Sequence, residues 1–212
     1  SSISYIKSSL WLPLEGAVAE ATEGVFVRML YVLIALSLIS VVALWLGKYG
    51  VFRKRLAALV ACASLVCGGA LLAMAVLPGN SFYGETITSG KVADGKKVVA
   101  LTFDDGPYLP FTQNLLAVLE EKQVKATFFV VGNNASKYPE VVRQVAEQGH
   151  EVALHAGEHK DFLKLNSSEL AGNISSGKKV LEELTGKPVK YMRPPHGFRD
   201  WAVMEAASDF GL

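Results

Sequence analysis

The sequence predicts an α/β domain, built on a parallel sheet with crossover helices and carried behind two membrane-spanning helices. Three observations carry this prediction. Two uncharged apolar runs, each near the ~20 residues that cross a hydrocarbon core, lie before position 78. From Val98 onward, short apolar runs alternate with helix-like stretches. The residue types that do chemistry follow the ends of the apolar runs.

Composition agrees with this division. Half of the 212 residues are hydrophobic and mean hydropathy is +0.29, but residues 1–84 carry few charges and 85–212 carry most of them. A formal net charge of +1, with no basic patch interleaved with aromatics, excludes nucleic acid as a partner class. The only cysteines, Cys62 and Cys67, both lie in an apolar run. The soluble part therefore has no disulfide framework and no thiolate metal site. The two cysteines read as small helix residues that pack.

Residues 1–26 read as an extracytoplasmic or interfacial segment, in which Trp11 and Pro13 suit the headgroup level. Residues 27–47 form the first predicted span, uncharged from Met29 to Gly47. Residues 56–77 form the second, with Ala61, Ala63, Ser64, Gly68, Gly69, Ala70 and Ala73 as small residues that let two helices approach. Neither span keeps the polar stripe of a core helix, nor an ionisable residue of the kind that marks a transport pathway. The loop 48–55 holds Lys48, Arg53, Lys54 and Arg55 and no acid. The positive-inside rule puts it in the cytoplasm and the rest of the chain outside a cell membrane. Membrane lipids are thus one expected partner.

Residues 78–96 read as a linker and 97–212 as the soluble domain. Strands are predicted at Val98–Thr102, Ala126–Val131 and Glu151–His155, with a weak one at Val189–Met192. Helices are predicted at Phe111–Lys122 (Leu115, Leu116, Val118 and Leu119 inward), Tyr138–Gln148 (Pro139 early, Gly149 as stop), Ser167–Thr185 (capped by Ser167 or Ser168, ended by Gly186) and Asp200–Phe210. Such alternation means a parallel sheet with right-handed crossovers, covered on both sides or closed into a barrel. Sites in such folds form at the carboxyl ends of the strands.

Three clusters fall at that rim. In Thr102-Phe103-Asp104-Asp105-Gly106-Pro107, adjacent carboxylates diverge, so one can bind a metal while the other acts as a base. In His155-Ala156-Gly157-Glu158-His159, two histidines four apart can meet one metal from a loop that Gly157 favours. Glu158 is either a solvated charge or an extra ligand. In Arg193-Pro194-Pro195-His196-Gly197, two prolines fix a loop that can aim backbone N–H groups at developing negative charge. His150 falls at the opposite end of its strand and reads as structural. One carboxylate and two imidazoles form a mixed ligand set with positions left open.

The order and wording of these clusters resemble the NodB-like polysaccharide deacetylases, carbohydrate esterase family four, over Val98–Leu212. The resemblance implies a partial NodB-type distorted (β/α) barrel behind the two transmembrane helices. It implies Asp104 as general base, oriented by Arg193. It implies Asp105, His155 and His159 as ligands of a divalent metal, usually Zn2+, and the backbone at Pro195 and His196 as oxyanion support. The implied partner is a polysaccharide of the N-acetylglucosamine type, from which acetyl groups are removed. Ala156 stands where the family usually has Ser or Thr, and His196 where an aromatic is common. The family's later Asp/Trp and Leu-x-x-His motifs have no counterpart before Leu212; Asp200-Trp201 comes too early to be the first. An open sheet edge and a natural chain that continues are therefore expected. Two other readings stay open: a deacylase of a lipid-linked sugar, and a non-catalytic polysaccharide-binding or assembly protein with a degenerate barrel.

Overall fold

The computed structural model of the chain describes residues 25–50, 54–77, 79–90 and 98–212. The expectations for residues 1–24, for Val51 to Arg53 of the basic loop, and for Pro78 and residues 91–97 fall outside the described residues.

Helices α1 (Val25–Lys48) and α2 (Lys54–Val76) pair as an antiparallel hairpin. Both are long and apolar enough to cross a membrane; at 1.5 Å per residue, α2 measures about 34 Å. Small residues set the seam. Ala57, Ala61, Ser64, Gly68 and Ala75 of α2 are buried, and a Cβ at Gly68 would stand 3.0 Å from Leu33. The Ser40 hydroxyl donates within α1 to Leu36 O at 2.9 Å and across to Ala61 O at 3.4 Å. Ala63, Gly69 and Ala70, also expected in the seam, face outward. So do Cys62 and Cys67, which do not pack as anticipated. The outward faces are apolar: Leu38, Val41, Leu59 and Val66 are all more than half exposed.

Residues 98–212 are built on three parallel strands in the order β1 (Thr102–Phe103), β2 (Thr127–Val130), β3 (Glu151–Leu154). Phe103 stands opposite Phe128, and Val130 opposite Leu154. The first strand is shorter than predicted and shifted. Val98 and Val99 lie outside the sheet and are 65% and 81% exposed, because β1 is the edge strand and no described residue pairs beyond it. The predicted fourth strand reduces to one bridge, between Leu154 and Met192. Leu154 N donates to Tyr191 O and Arg193 N to Leu154 O, which seats Arg193 at the carboxyl end of β3.

The crossovers are α3 (Phe111–Glu121), the pair α4 (Gly132–Lys137) and α5 (Pro139–Glu147), and α6 (Ser167–Thr185). On α3, Leu116 and Leu119 are buried, while Val118 lies off their stripe and is exposed. Helix α4 is shorter than periodicity can detect; Tyr138 separates it from α5, which starts on Pro139. The bounds of α6 match the prediction, but its cap is Asn166. The Asn166 carboxamide accepts from Glu169 N at 2.9 Å and the Glu169 carboxylate accepts from Asn166 N at 3.0 Å, a reciprocal capping box. Gly186, at φ 66°, ends the helix. Glu182 then accepts from Val189 N at 3.0 Å, turning the chain back toward the sheet. That bond, with Lys178, holds the Glu182 carboxyl below the usual range. Asp200 caps α7 (Trp201–Asp209) through Val203 N. Phe128, Val130, Leu154, Phe162, Ile174 and Leu181 make the core between sheet and helices. His150 lies at the far end of β3, buried, with Nδ1 accepting from Ala126 N.

Candidate active site

All three sequence clusters meet at the carboxyl ends of the strands. Asp105 Oδ1 lies 3.2 Å from His155 Nε2 and 3.1 Å from His159 Nε2. One ligand atom from each of these residues falls within 4.8 Å of the others. Asp104 points to Arg193, whose guanidinium donates to Asp104 Oδ1 at 2.6 Å and to Thr102 Oγ1 at 3.2 Å. The guanidinium also lies 4.0 Å from the ring centre of Phe129, which pins it from beneath. The adjacent carboxylates do diverge: one faces two imidazoles and the other an arginine.

The chemistry of the donors can be read from His155. Its Nδ1 sits 2.7 Å from Arg193 O. A carbonyl oxygen only accepts, so Nδ1 carries the hydrogen. Burial holds the His155 pKa down, against the raising influence of the Arg193 carbonyl and of Asp104 and Asp105. Burial favours the neutral ring, and with the hydrogen on Nδ1 its Nε2 lone pair faces the Asp105 carboxylate, acceptor toward acceptor. A cation between them resolves that opposition. Bonds of about 2.0–2.2 Å to a tetrahedral zinc imply ligand–ligand separations of roughly 3.3–3.6 Å, close to the two separations here. The residues fit a divalent metal.

The backbone is shaped for this convergence. Of four non-glycine residues at positive φ among the described residues, three are Asp105 (69°), Ala156 (91°) and His196 (58°). Such conformations cost on the order of 1–3 kcal/mol each and persist where surrounding structure imposes them. Asn134 imposes part of it, donating to Asp105 O at 2.8 Å. Around Ala156, which is fully buried, the loop is bonded on both sides. Gly132 N donates to Ala156 O and Asn133 N to Gly157 O. From α6, Asn173 Oδ1 accepts from Gly157 N (2.8 Å) and Glu158 N (3.2 Å), and its amide donates to Glu158 O (2.9 Å). Glu158 itself pairs with Lys160 at 3.0 Å and stays out of the ligand cluster.

Sequence reasoning missed Asn173, Asn134 and Phe129. Phe129 lies in a strand read as core, Asn173 in a helix read as a crossover and Asn134 in the short α4 that periodicity does not detect, and none has a motif spacing. Gly177 was also missed. A Cβ there would stand 2.7 Å from both Gly157 Cα and Gly157 N, so α6 meets the loop backbone to backbone.

Pro195 is buried and His196 exposed. The His196 ring meets His159 edge-on at 5.1 Å between centres, which brings the third loop beside the ligand cluster. Next to Asp104, an apolar cavity of about 440 Å³ opens over Phe103, Phe128 and Phe129 of the sheet, bounded by Pro107 and Tyr108.

The pattern that defines the family described as polysaccharide deacetylase matches residues 91–212. A peptidoglycan-N-acetylglucosamine deacetylase of Bacillus cereus is 43% identical over 102 residues, covering 48% of this chain and 37% of that protein. A second Bacillus cereus protein of the same description is 34% identical over 121 residues, covering 57% of this chain and 56% of the relative. Among solved structures, the family 4 carbohydrate esterase of Streptomyces lividans in complex with acetate superposes with a TM-score of 0.52 at 32% identity, covering 54% of this chain and 59% of that one. The chain spans less than two thirds of each of these relatives.

Proposed function

This chain belongs to the polysaccharide deacetylase family, and from that membership we propose that it carries the metal-binding site of a hydrolase that removes N-acetyl groups from a cell-wall or surface polymer containing N-acetylglucosamine. The observation that carries the proposal is the pairing of the Asp105–His155–His159 cluster with a separate Asp104–Arg193 pair on one strand rim. The names of the relatives, deacetylases of peptidoglycan N-acetylglucosamine, favour that substrate class.

Asp105, His155 and His159 would hold the metal, with zinc suited to their mixed oxygen and nitrogen donors. When bound, a divalent cation supplies Lewis acidity toward the acetamide carbonyl and toward water. Asp104 is the proton acceptor. Its carboxylate is held by Arg193 in one orientation and kept out of the ligand cluster, so it remains free to take a proton from the attacking water. Arg193 stays with the charge it orients; its stacking on Phe129 and its bond to Thr102 leave it little freedom to swing away. The Arg193 carbonyl fixes the His155 tautomer, so one residue serves both halves of the site. In the rigid turn, Pro195 carries no N–H and the N–H groups of Gly197 and Phe198 are bonded to Pro194 O and Pro195 O, so the His196 N–H is the turn's donor toward the oxygen that gains charge as the carbonyl becomes tetrahedral. Breaking the C–N bond, with the proton taken up by Asp104 passed to the leaving nitrogen, then yields acetate and a free amine on the sugar.

The hairpin of α1 and α2 is read as two membrane spans, with the basic loop on the cytoplasmic side and residues 97–212 outside. Their burial supports this over a core-helix role, since only 11% and 22% of the two apolar windows is buried. An extracytoplasmic deacetylase domain is then anchored where a wall polymer lies. The test is acetate release from N-acetylglucosamine oligomers by the membrane-embedded protein loaded with zinc. Release stopped by a chelator and absent in Asp104→Asn supports the reading. Release that persists in Asp104→Asn with a chelator present contradicts it.

A further inference from the structure

The soluble domain and the hairpin are joined by a built contact. Arg199, 5% exposed, donates through its guanidinium to Leu77 O (3.1 Å), Asn80 O (2.8 Å) and Gly197 O (2.9 Å). Its backbone N–H donates to Ala75 O. The carbonyls that a helix leaves unsatisfied at its end are thus taken up at α2 by a residue two positions beyond the Pro195–Gly197 turn. Tyr83 reaches back to the same helix, its hydroxyl donating to Leu71 O at 2.8 Å. Leu71 is five residues before the end of α2, about 7–8 Å inside it.

On this joint stand three aromatic rings. Tyr83 and Trp201 meet edge to face at 4.8 Å, and Phe82 lies 5.0 Å from Tyr83 and 5.6 Å from Trp201. Tyr83 is covered, but Trp201 is 58% and Phe82 48% exposed. Trp201 belongs to α7 of the soluble domain, and with Tyr83 it borders an apolar cleft of about 160 Å³ whose other walls include Val32, Leu33 and Leu71 of the hairpin. The patch is therefore continuous with the exposed apolar faces of α1 and α2. At the opposite end of the hairpin, Trp45 and Tyr49 form a second exposed aromatic pair, 4.8 Å between centres. The two aromatic groups flank the apolar stretch of the hairpin, the outer one seated about a turn and a half inside the end of α2. Amphipathic rings collect at both membrane–water boundaries, and Trp buries a large apolar body while its N–H stays hydrated.

We propose that Trp201 and Phe82 form a lipid-contacting surface on the soluble domain, by which the domain itself sits in the outer headgroup layer of the bilayer. This rests on the reading of α1 and α2 as membrane spans. Through Arg199 the same surface fixes the height of the Pro195–Gly197 turn above the membrane, so the site works on polymer close to the bilayer.

The full chain in phosphatidylcholine vesicles tests this with two single-tryptophan proteins: Trp11 and Trp45 changed to Phe, leaving Trp201, and Trp11 and Trp201 changed to Phe, leaving Trp45. Each is quenched in turn by lipid brominated high on the acyl chain and by water-soluble acrylamide. The inference expects brominated lipid to remove most of the emission of both Trp45 and Trp201. Lipid quenching of Trp45 with Trp201 reached by acrylamide alone overturns the surface proposed here and leaves the spans standing. Lipid quenching of neither overturns both.

Discussion

Two substitutions in one helix isolate the close packing that shapes the site. Gly172 and Gly177 both lie in α6, and Ala for Gly in a helix interior is worth about 1 kcal/mol. At Gly172 the new methyl meets nothing within 4 Å, so Gly172→Ala should stabilise the protein by about that amount. At Gly177 the same methyl lies 2.7 Å from Gly157 Cα and N and from Leu154 Cδ1, with Gly132 packed against the same helix position. Two of those atoms are backbone and cannot swing aside. Overpacking of this kind costs about 1–3 kcal/mol, and contact with fixed backbone points to the upper part of that range. The helix-propensity gain is common to both variants, so their difference reads the packing cost alone. Gly177→Ala should be about 2 kcal/mol less stable than wild type. Relief comes by moving the 155–159 loop, so zinc affinity should also fall by about tenfold or more, as when the outer support of a metal ligand is lost. Thermal melting in detergent and calorimetric zinc titration measure the two effects. A Gly177→Ala protein as stable and as zinc-avid as Gly172→Ala would refute the reasoning.

Asn173→Ala removes the side-chain acceptor of Gly157 N and Glu158 N, while Gly157 N keeps its bond to Asn173 O; stability should fall by about 0.5–1.5 kcal/mol and zinc affinity with it, read by the same two assays. If the cluster binds zinc, the metal stabilises the native chain by mass action, about 2.7 kcal/mol at a hundredfold excess over Kd, so a chelator should lower the melting temperature of wild type and leave that of His155→Ala unchanged. Burial, and secondarily Lys125, lowers the His150 pKa from its ordinary 6.5. The native state then binds fewer protons than the unfolded chain as pH falls below about 6.5, so stability present at neutral pH is lost toward the lower native pKa. Melting of the metal-free protein at stepped pH should show that loss, with a shallower slope in His150→Gln.

How much was legible in the sequence follows from how local each signal is. The hairpin, α6 and the three clusters announce themselves through long periodic runs or short motifs, and the structure brings the clusters to one rim. The edge strand differs from the expectation at Val98 and Val99 because an apolar run specifies burial, while pairing needs a neighbour that β1 does not have on its outer side among the described residues. Helix α4 has only six residues, too few for a period to emerge. The cap of α6 went to Asn166 because its box with Glu169 satisfies two backbone donors, where Ser167 or Ser168 would leave Asn166 N unpaired. The seam of the hairpin was predicted in kind but not in face: small residues are scattered all round α2, and only contact with α1 selects Ala57, Ala61, Ser64 and Gly68. Asn173 and Gly177 were invisible because their importance lies in a loop some fifteen to twenty residues away.

The central claim is that Asp105, His155 and His159 hold a metal while Asp104, their neighbour, stands outside the ligand set. Zinc bound per chain, measured by elemental analysis after dialysis, tests it most directly in wild type, His155→Ala and Asp104→Asn. The account predicts one zinc in wild type and in Asp104→Asn, and none in His155→Ala. Equal zinc in wild type and His155→Ala, or loss of zinc in Asp104→Asn, would contradict it.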